Sequence, residues 1–348
     1  MKTFYVESDI LEIVENIKDE IRLINNKKIL LLGSNGFLGK YFVKIFDQII
    51  TEKKAKFSVD CFDNYISSSS TNKTKIKNKE KIKFYKADVS THTFKKKYDV
   101  IIFLAGIASP FIYKKNPLKT LSVSYGGVSN LIAKAKKEKS KFVFFSSSEI
   151  YGNPDKKNLP TKEAYYGNVN SFGPRSCYDE GKRVGETLCY IYNAYYNTDV
   201  KVIRPFNVFG PLMDKNDYRI IPNIIKKINT KKKILIHGDG KQTRTFCYIT
   251  DAIAGFFKVI FRKDKNLIYN IGNPNNEISM NSLIKIFDKI LKKKNKYSLI
   301  DYPSHYPADE PRRRCPDINL AKNELNYLPK VSVEEGIRRV LKFNKIIE

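Results

Sequence analysis

A doubly wound parallel α/β sheet followed by a smaller C-terminal domain is the architecture the sequence predicts, on three observations. Short apolar runs of strand length alternate with stretches of helical periodicity as far as Gly210. The loop after the first run, GSNGFLG at residues 33–39, places its glycines between a strand and a helix. Beyond Gly210 the alternation gives way to shorter, mixed elements.

In chain order, residues 8 to 25 come first, with Ile10, Ile13, Val14, Ile17, Ile21 and Ile24 at helical spacing and Asp9 and Glu12 placed as a capping box. An amphipathic extension over residues 1–26 is therefore expected to pack on the main body or on a partner subunit. KKILLLG at 27–33 reads as the first strand, and a helical pattern runs from Phe37 to about Ile50. KFSVDCFD, IKFYKADV, YDVIIFLAG, KFVFFSSS and DVKVIRPFNVFG then read as strands buried on both faces, which argues for a parallel sheet. SSSS at 67–70 reads as a short loop. The expected division is 27–208 for the sheet domain and 209–348 mainly for the smaller one, with about 243–265 returning to the sheet. Ser332 and Glu335 form a second capping box for a terminal helix.

With 348 residues, 42% of them hydrophobic, the chain can bury a sizeable core. The N-terminal segment is charged throughout and no stretch approaches bilayer-spanning length, so a cytoplasmic protein away from membranes is expected. Five scattered cysteines without CxxC spacing and three isolated histidines suggest neither a disulfide framework nor a metal site. The net charge of +28 raises the possibility of nucleic acid. Only about a dozen of the 64 basic residues are arginine, and the lysines cluster as KKK at 95–97, 231–233 and 292–294, which reads as solvated surface. No nucleic-acid partner is expected. The scarce arginines are more informative, since Arg204, Arg244 and the run Arg312, Arg313 and Arg314 lie within motif-like segments.

In GSNGFLG, Gly33, Gly36 and Gly39 permit a tight turn and a close approach of a diphosphate to a helix N-terminus, with Phe37 and Leu38 at the helix start. Asp63 and Asn64 end the second strand, where a carboxylate can accept bonds from ribose hydroxyls; no arginine follows at once, which favours NAD over NADP. Asp88 and Val89 are placed to hold the adenine, and Leu104, Ala105 and Gly106 to line the cofactor's path. SSSEIYG at 146–152 puts hydroxyls and a carboxylate at the end of the fifth strand. Tyr178 and Lys182 then share one face of a helix, one turn apart. If strand end and helix converge, Ser147, Tyr178 and Lys182 form a proton-transfer set. Lys182 and an oxidised nicotinamide are expected to lower the phenol's pKa from its ordinary value near 10.

These segments, together with LAGIASPFIYKKNPLKT, GPRSCYDEGKRVGET, RPFNVFGP, GDGKQTRTFCYITD, YNIGNPNNEIS and RRRCPDI, make the chain resemble an extended short-chain dehydrogenase/reductase acting on nucleotide sugars. Within that group it most resembles the UDP-glucuronate decarboxylases. The resemblance covers nearly everything from about Lys27 onward and implies a Rossmann domain over 27–208, a substrate-binding C-terminal domain, NAD as cofactor, a UDP-linked sugar as substrate and a homodimer. It implies that Tyr178 is the base at sugar O4, that Lys182 binds the nicotinamide ribose, that Ser147 hydrogen-bonds O4, and that Glu149 and Arg314 act beside the sugar. It places Ser109 and Tyr113 by the sugar, and Asn207 and Arg244 at the diphosphate or nucleoside. Ser148 stands where 4,6-dehydratases carry an aspartate, and Glu149 where simple 4-epimerases usually lack a carboxylate, so decarboxylation leads. A 4-epimerase, a 4,6-dehydratase and a non-catalytic NAD-binding scaffold remain the alternatives. Leu212 stands where the decarboxylases have an arginine.

Overall fold

The predicted strands form where the apolar runs place them. The computed structural model describes residues 2–67, 74–214, 217, 219–301 and 311–348, with side chains from Val6 onward; of the SSSS loop, all but Ser67 lies outside them. Helices α1 (Lys2–Asn16) and α2 (Lys18–Ile24) open the chain. Then come β1 (Lys28–Leu32), α3 (Phe37–Lys53), β2 (Ser58–Asp63), β3 (Ile82–Lys86) and β4 (Val100–Phe103). Helices α4 (Pro110–Lys115), α5 (Pro117–Ser122) and α6 (Val128–Glu138) lead to β5 (Lys141–Phe145), and α7 (Ser176–Tyr196) leads to β6 (Val200–Pro205). Beyond it lie β7 (Val208–Phe209), α8 (Ile220–Asn229), β8 (Ile234–His237), β9 (Thr243–Thr245), β10 (Cys247–Tyr248) and α9 (Ile249–Phe261). The chain closes with β11 (Ile268–Ile271), β12 (Glu277–Ser279), α10 (Met280–Leu291), β13 (Tyr297–Ile300), α11 (Asn319–Leu325) and α12 (Val333–Phe343).

Seven strands form one parallel sheet in the order β11-β6-β5-β4-β1-β2-β3. In β1, Ile29 and Leu31 enter one core cluster with residues of α3 and α9, while Leu30 and Leu32 enter another with residues of α6 and α7. Burial on both faces is why these strands read as unbroken apolar runs. The seventh strand, β11, comes from the C-terminal half and pairs with β6, so α9 and β11 together bring residues 249–271 back against the sheet. The remaining pairs, β7 with β10, β8 with β13 and β9 with β12, stand apart from that sheet.

The N-terminal extension packs on the main body, with α1 against α3, α9 and α12 and α2 against α9. Its predicted isoleucines are all buried, and each contributes about 1.5–3 kcal/mol before the chain's ordering entropy is charged. The capping box expected at Asp9 and Glu12 does not form. The helix already runs from Lys2, so both carboxylates lie within it and turn inward: Asp9 accepts from the Tyr248 hydroxyl at 2.7 Å, and Arg339 pairs with Asp9 at 3.2 Å and with Glu12 at 2.7 Å. At the other end Ser332 does cap α12, accepting from the Glu335 N–H at 3.2 Å.

The three KKK runs lie exposed outside regular elements. No helix of the described residues is long and apolar enough to cross a membrane.

The sheet reverses its winding between β1 and β4, and in such sheets the crevice at the carboxyl ends of the strands is where ligands bind. GSNGFLG follows β1, Leu104 to Gly106 follow β4, and SSSE follows β5, so the topology delivers all three motifs to that edge.

Candidate active site

The glycine loop is tightly folded against the β4 loop. Gly33 has φ of +82°, and a Cβ there would lie 2.8 Å from the Ala105 nitrogen. Gly36 precedes α3 and brings no side chain to cap it, so the first N–H groups of α3, on Phe37, Leu38 and Gly39, and the helix dipole remain available to an anion. Next to this helix start, the Asp63 carboxylate accepts from the N–H groups of Asn35 at 2.8 Å and Tyr65 at 2.7 Å. Burial nonetheless holds its pKa above the usual carboxylate range. Asn64 folds its own loop by accepting from the Ile66 N–H. Asp88 is paired with Lys119 and with the Ser90 hydroxyl, and Val89 is a core residue. Leu104 and Gly106 line the cleft, with Ala105 packed on the glycine loop. An uncapped helix start for a diphosphate and a carboxylate for a ribose diol are what a dinucleotide requires, so these residues fit NAD.

The cleft beside them has a volume of about 710 Å³. Helix α7 forms one wall, and three ties hold it to the sheet. Lys182 Nζ donates to the Phe145 carbonyl at 2.7 Å, Ser146 donates to Glu186 at 2.5 Å, and Arg204 on β6 pairs with Glu186 at 2.5 Å. Gly185 permits the close approach, since a Cβ there would lie 2.4 Å from the Phe144 ring. Strand end and helix therefore converge as the proton-transfer set requires: Ser147, Tyr178 and Lys182 all line the cleft. Tyr113 stacks on Tyr178 with ring centroids 5.6 Å apart, and the Ser109 hydroxyl at the start of α4 is buried.

The expected lowering of the Tyr178 pKa is absent from the protein alone. Burial pushes the phenol up to about 12, against which a hydrogen bond from Ser147 acts. Lys182 lies 5.8 Å from the ring centroid, and its own burial brings it down to about 8. At neutral pH Tyr178 is a neutral phenol until more positive charge reaches it.

Beside this set lies a feature that single-residue reading did not anticipate. Glu149 accepts from Arg314 at 2.6 Å and also from Arg175, and Arg175 Nε donates to Asp179 one turn on at 3.1 Å. Glu149, Arg175 and Arg314 line the cleft. Burial, and after it the Glu149 carboxylate, pushes Asp179 well above the usual carboxylate range. The other arginines marked in the sequence go elsewhere: Arg204 is structural, Arg312 pairs with Asp239, and Arg313 with Glu277. Arg244 and Asn207 also reach the cleft; Asn207 has a left-handed φ of +38° and donates to the Thr245 carbonyl. Arg219 and His237 line it as well, outside every quoted motif, and so does Gln242, which lies within GDGKQTRTFCYITD without having been singled out.

The profile of the NAD dependent epimerase/dehydratase family matches residues 29–272. The chain belongs to this family. Its cofactor is NAD. UDP-glucuronic acid decarboxylase 6 of Arabidopsis thaliana is 35% identical over 313 residues, covering 90% of this chain and 87% of that protein. UDP-glucuronic acid decarboxylase 1 of Xenopus tropicalis is 33% identical over 319 residues, covering 92% and 72%. Among solved structures, UDP-N-acetylglucosamine 4-epimerase from Methanobrevibacter ruminantium superposes with a TM-score of 0.78 at 26% identity, covering 92% of this chain and 99% of its own. UDP-glucuronic acid 4-epimerase from Bacillus cereus in complex with NAD gives 0.73 at 25% identity, covering 91% and 96%. The similarity to decarboxylases expected from GPRSCYDEGKRVGET is thus found over most of the chain.

Proposed function

We propose that the protein is an NAD-dependent nucleotide-sugar decarboxylase that converts UDP-glucuronate to UDP-xylose or to the UDP-4-keto-pentose. The observation that carries this reading is Arg314, held at the wall of the cleft by Glu149, in the same cavity as Tyr178. A guanidinium there offers a bidentate partner to a sugar carboxylate.

NAD, held by the Gly33 to Gly39 loop, Asp63 and Lys182, supplies the acceptor and later the donor of the hydride at sugar C4. Tyr178 takes the O4 proton while Ser147 hydrogen-bonds the same oxygen. Because Tyr178 rests as a phenol, the step depends on Lys182 and the cofactor's positive charge together, so proton abstraction is confined to the loaded enzyme. A ketone at C4 makes the C6 carboxylate that of a β-keto acid, and the C5–C6 electrons flow into the carbonyl as CO2 leaves. Tyr178 and Ser147 then hold the enolate oxygen until C5 takes up a proton from water and the C4 ketone re-forms; one such donor is worth about 10²–10³ in rate. Arg314 orients the carboxylate before it is lost, with Glu149 beside the ring. Ser148 provides no acid for expelling a C6 hydroxyl, which sets dehydration aside.

Ser109 and Tyr113 contact the sugar, and Asn207 and Arg244 the diphosphate or nucleoside. Residues 27–208 with the returning segment form the cofactor domain, and the rest of 209–348 the substrate domain. Exposed Leu118 on α5 and Tyr190 and Tyr195 on α7 support a homodimer through these helices. A cytoplasmic location fits the substrate. Incubation with UDP-glucuronate and NAD, followed by mass spectrometry, is expected to show loss of the mass of CO2; no turnover, with activity on a neutral nucleotide hexose instead, overturns the reading.

A further inference from the structure

We infer that the protein docks on an anionic lipid surface through a lysine patch that the fold assembles from two separate runs. Read singly, the KKK runs look like solvated surface. The structure brings two of them together, the run at 231–233 before β8 and the run at 292–294 before β13.

β8 and β13 are parallel, with Ile234 opposite Tyr297, and the Ile234 N–H donates to the Lys296 carbonyl at 2.9 Å. The loops that enter the two strands therefore lie side by side, and Lys296 joins the two runs in one patch. All seven lysines are exposed, and none of them has an ion pair among the described residues. The third run differs, since its Lys96 pairs with Asp60. Residues 219–237 contain no acidic residue, and 280–300 contain only Asp288, whose carboxylate accepts from Asn295. Helices α8 and α10 both end beside the patch, and each presents about half a negative charge there. Lys226, Lys227 and Lys289 lie in their last turns and already face that charge. The seven further cations exceed it several-fold, and an external anionic surface relieves their mutual repulsion.

Three features favour a bilayer over nucleic acid. The patch holds lysine and no arginine, so it offers point charges rather than the planar forks that grip single phosphates. Both helices turn their C-terminal ends to it, whereas the N-terminus is the end that binds phosphate. Beside the lysines, Tyr297 and Leu299 alternate along β13 on one face and are 44% and 50% exposed, which sets apolar side chains next to cations as an interfacial surface requires. Each such lysine is worth about fivefold in affinity for an anionic bilayer.

β8 ties the patch to the cleft. The strand starts at Ile234, and Leu235, Ile236 and His237 line the cleft wall within about 10 Å of that start. The docked face therefore belongs to the part of the molecule that walls the cleft. The inference is independent of which sugar the cleft takes.

Co-sedimentation of the full chain with vesicles tests it. Binding is expected to vesicles of phosphatidylcholine mixed with phosphatidylserine, to weaken as salt is raised, and to be absent with phosphatidylcholine alone. The triple variant Lys231→Gln, Lys232→Gln, Lys233→Gln is expected to bind about a hundredfold more weakly, and so is Lys292→Gln, Lys293→Gln, Lys294→Gln. A control with the same loss of charge, Lys75→Gln, Lys77→Gln, Lys79→Gln, removes exposed lysines elsewhere and is expected to bind within about twofold of wild type. Circular dichroism and Tm check that each variant is folded. No binding to the phosphatidylserine vesicles, or an equal loss in the control, overturns the inference. Tighter binding to a DNA duplex than to the vesicles, per anionic group and lost in the same two triple variants, overturns it as well and gives the patch to nucleic acid.

Discussion

The cluster around Asp9 and the cluster around Glu149 are built from the same parts. One combines Arg339 with Asp9, Glu12 and Glu335, the other Arg175 and Arg314 with Glu149 and Asp179, and in each burial raises one aspartate well above the usual carboxylate range. They differ in what their atoms have left to do. Asp9 accepts from Tyr248 and Arg339, and the bonds join α1 to α12 and to the strand before α9. Asp179 keeps an idle oxygen, and its partners open onto a cleft that also holds Tyr178. A buried ion cluster is therefore weak evidence of chemistry by itself, since structural networks shift pKa values equally well. Spare bonding capacity beside a cavity is the stronger sign.

The contrast can be broken at several points. The largest effect is expected for Tyr178→Phe, which should lower kcat by about 10²–10⁴-fold while NAD binding, followed by fluorescence, persists; retained turnover would show that another group is the base. Arg314→Ala should lower kcat/KM for UDP-glucuronate by the equivalent of about 2–5 kcal/mol, in addition to the stability lost when Glu149 is left with Arg175 alone. Arg339→Met should affect stability only, costing about 3 kcal/mol in urea denaturation at pH 8 with unchanged KM, and less at pH 6, where Asp9 carries a proton. A smaller effect separates Asp9→Asn from wild type. Asp9 titrates near 7 when folded and near 3.9 when unfolded, so the folded state binds more protons between these values and stability falls as pH rises through that window. Asp9→Asn should flatten that fall, read as Tm from pH 5 to 8; an unchanged slope would mean Asp9 is ionised throughout.

Much of the fold was legible because its signals are local. Short apolar runs, three of them ending in glycine, marked β1 to β6, and the glycine loop and the one-turn spacing of Tyr178 and Lys182 marked their places on the sheet edge. β11, four residues long, carries too little pattern to stand out. Asp9 looks like a cap because a carboxylate immediately before an apolar stripe looks the same whether a helix begins there or passes through; Tyr248 and Arg339, which settle it, are hundreds of residues away. Glu149 and Arg314 are likewise 165 positions apart. Arg175 and Asp179 stand at helical i,i+4 spacing, which could have marked them as a pair, yet the same spacing describes any exposed ion pair. The pKa of Tyr178 depends on burial, which no short motif encodes.

The most direct measurement uses UDP-glucuronate labelled with ¹⁴C only at C6, incubated with the enzyme and NAD in a sealed vessel with an alkaline trap. Label should pass to the trap in proportion to substrate consumed, at a rate that Tyr178→Phe abolishes. Label retained in a nucleotide-sugar product while the substrate disappears would contradict decarboxylation.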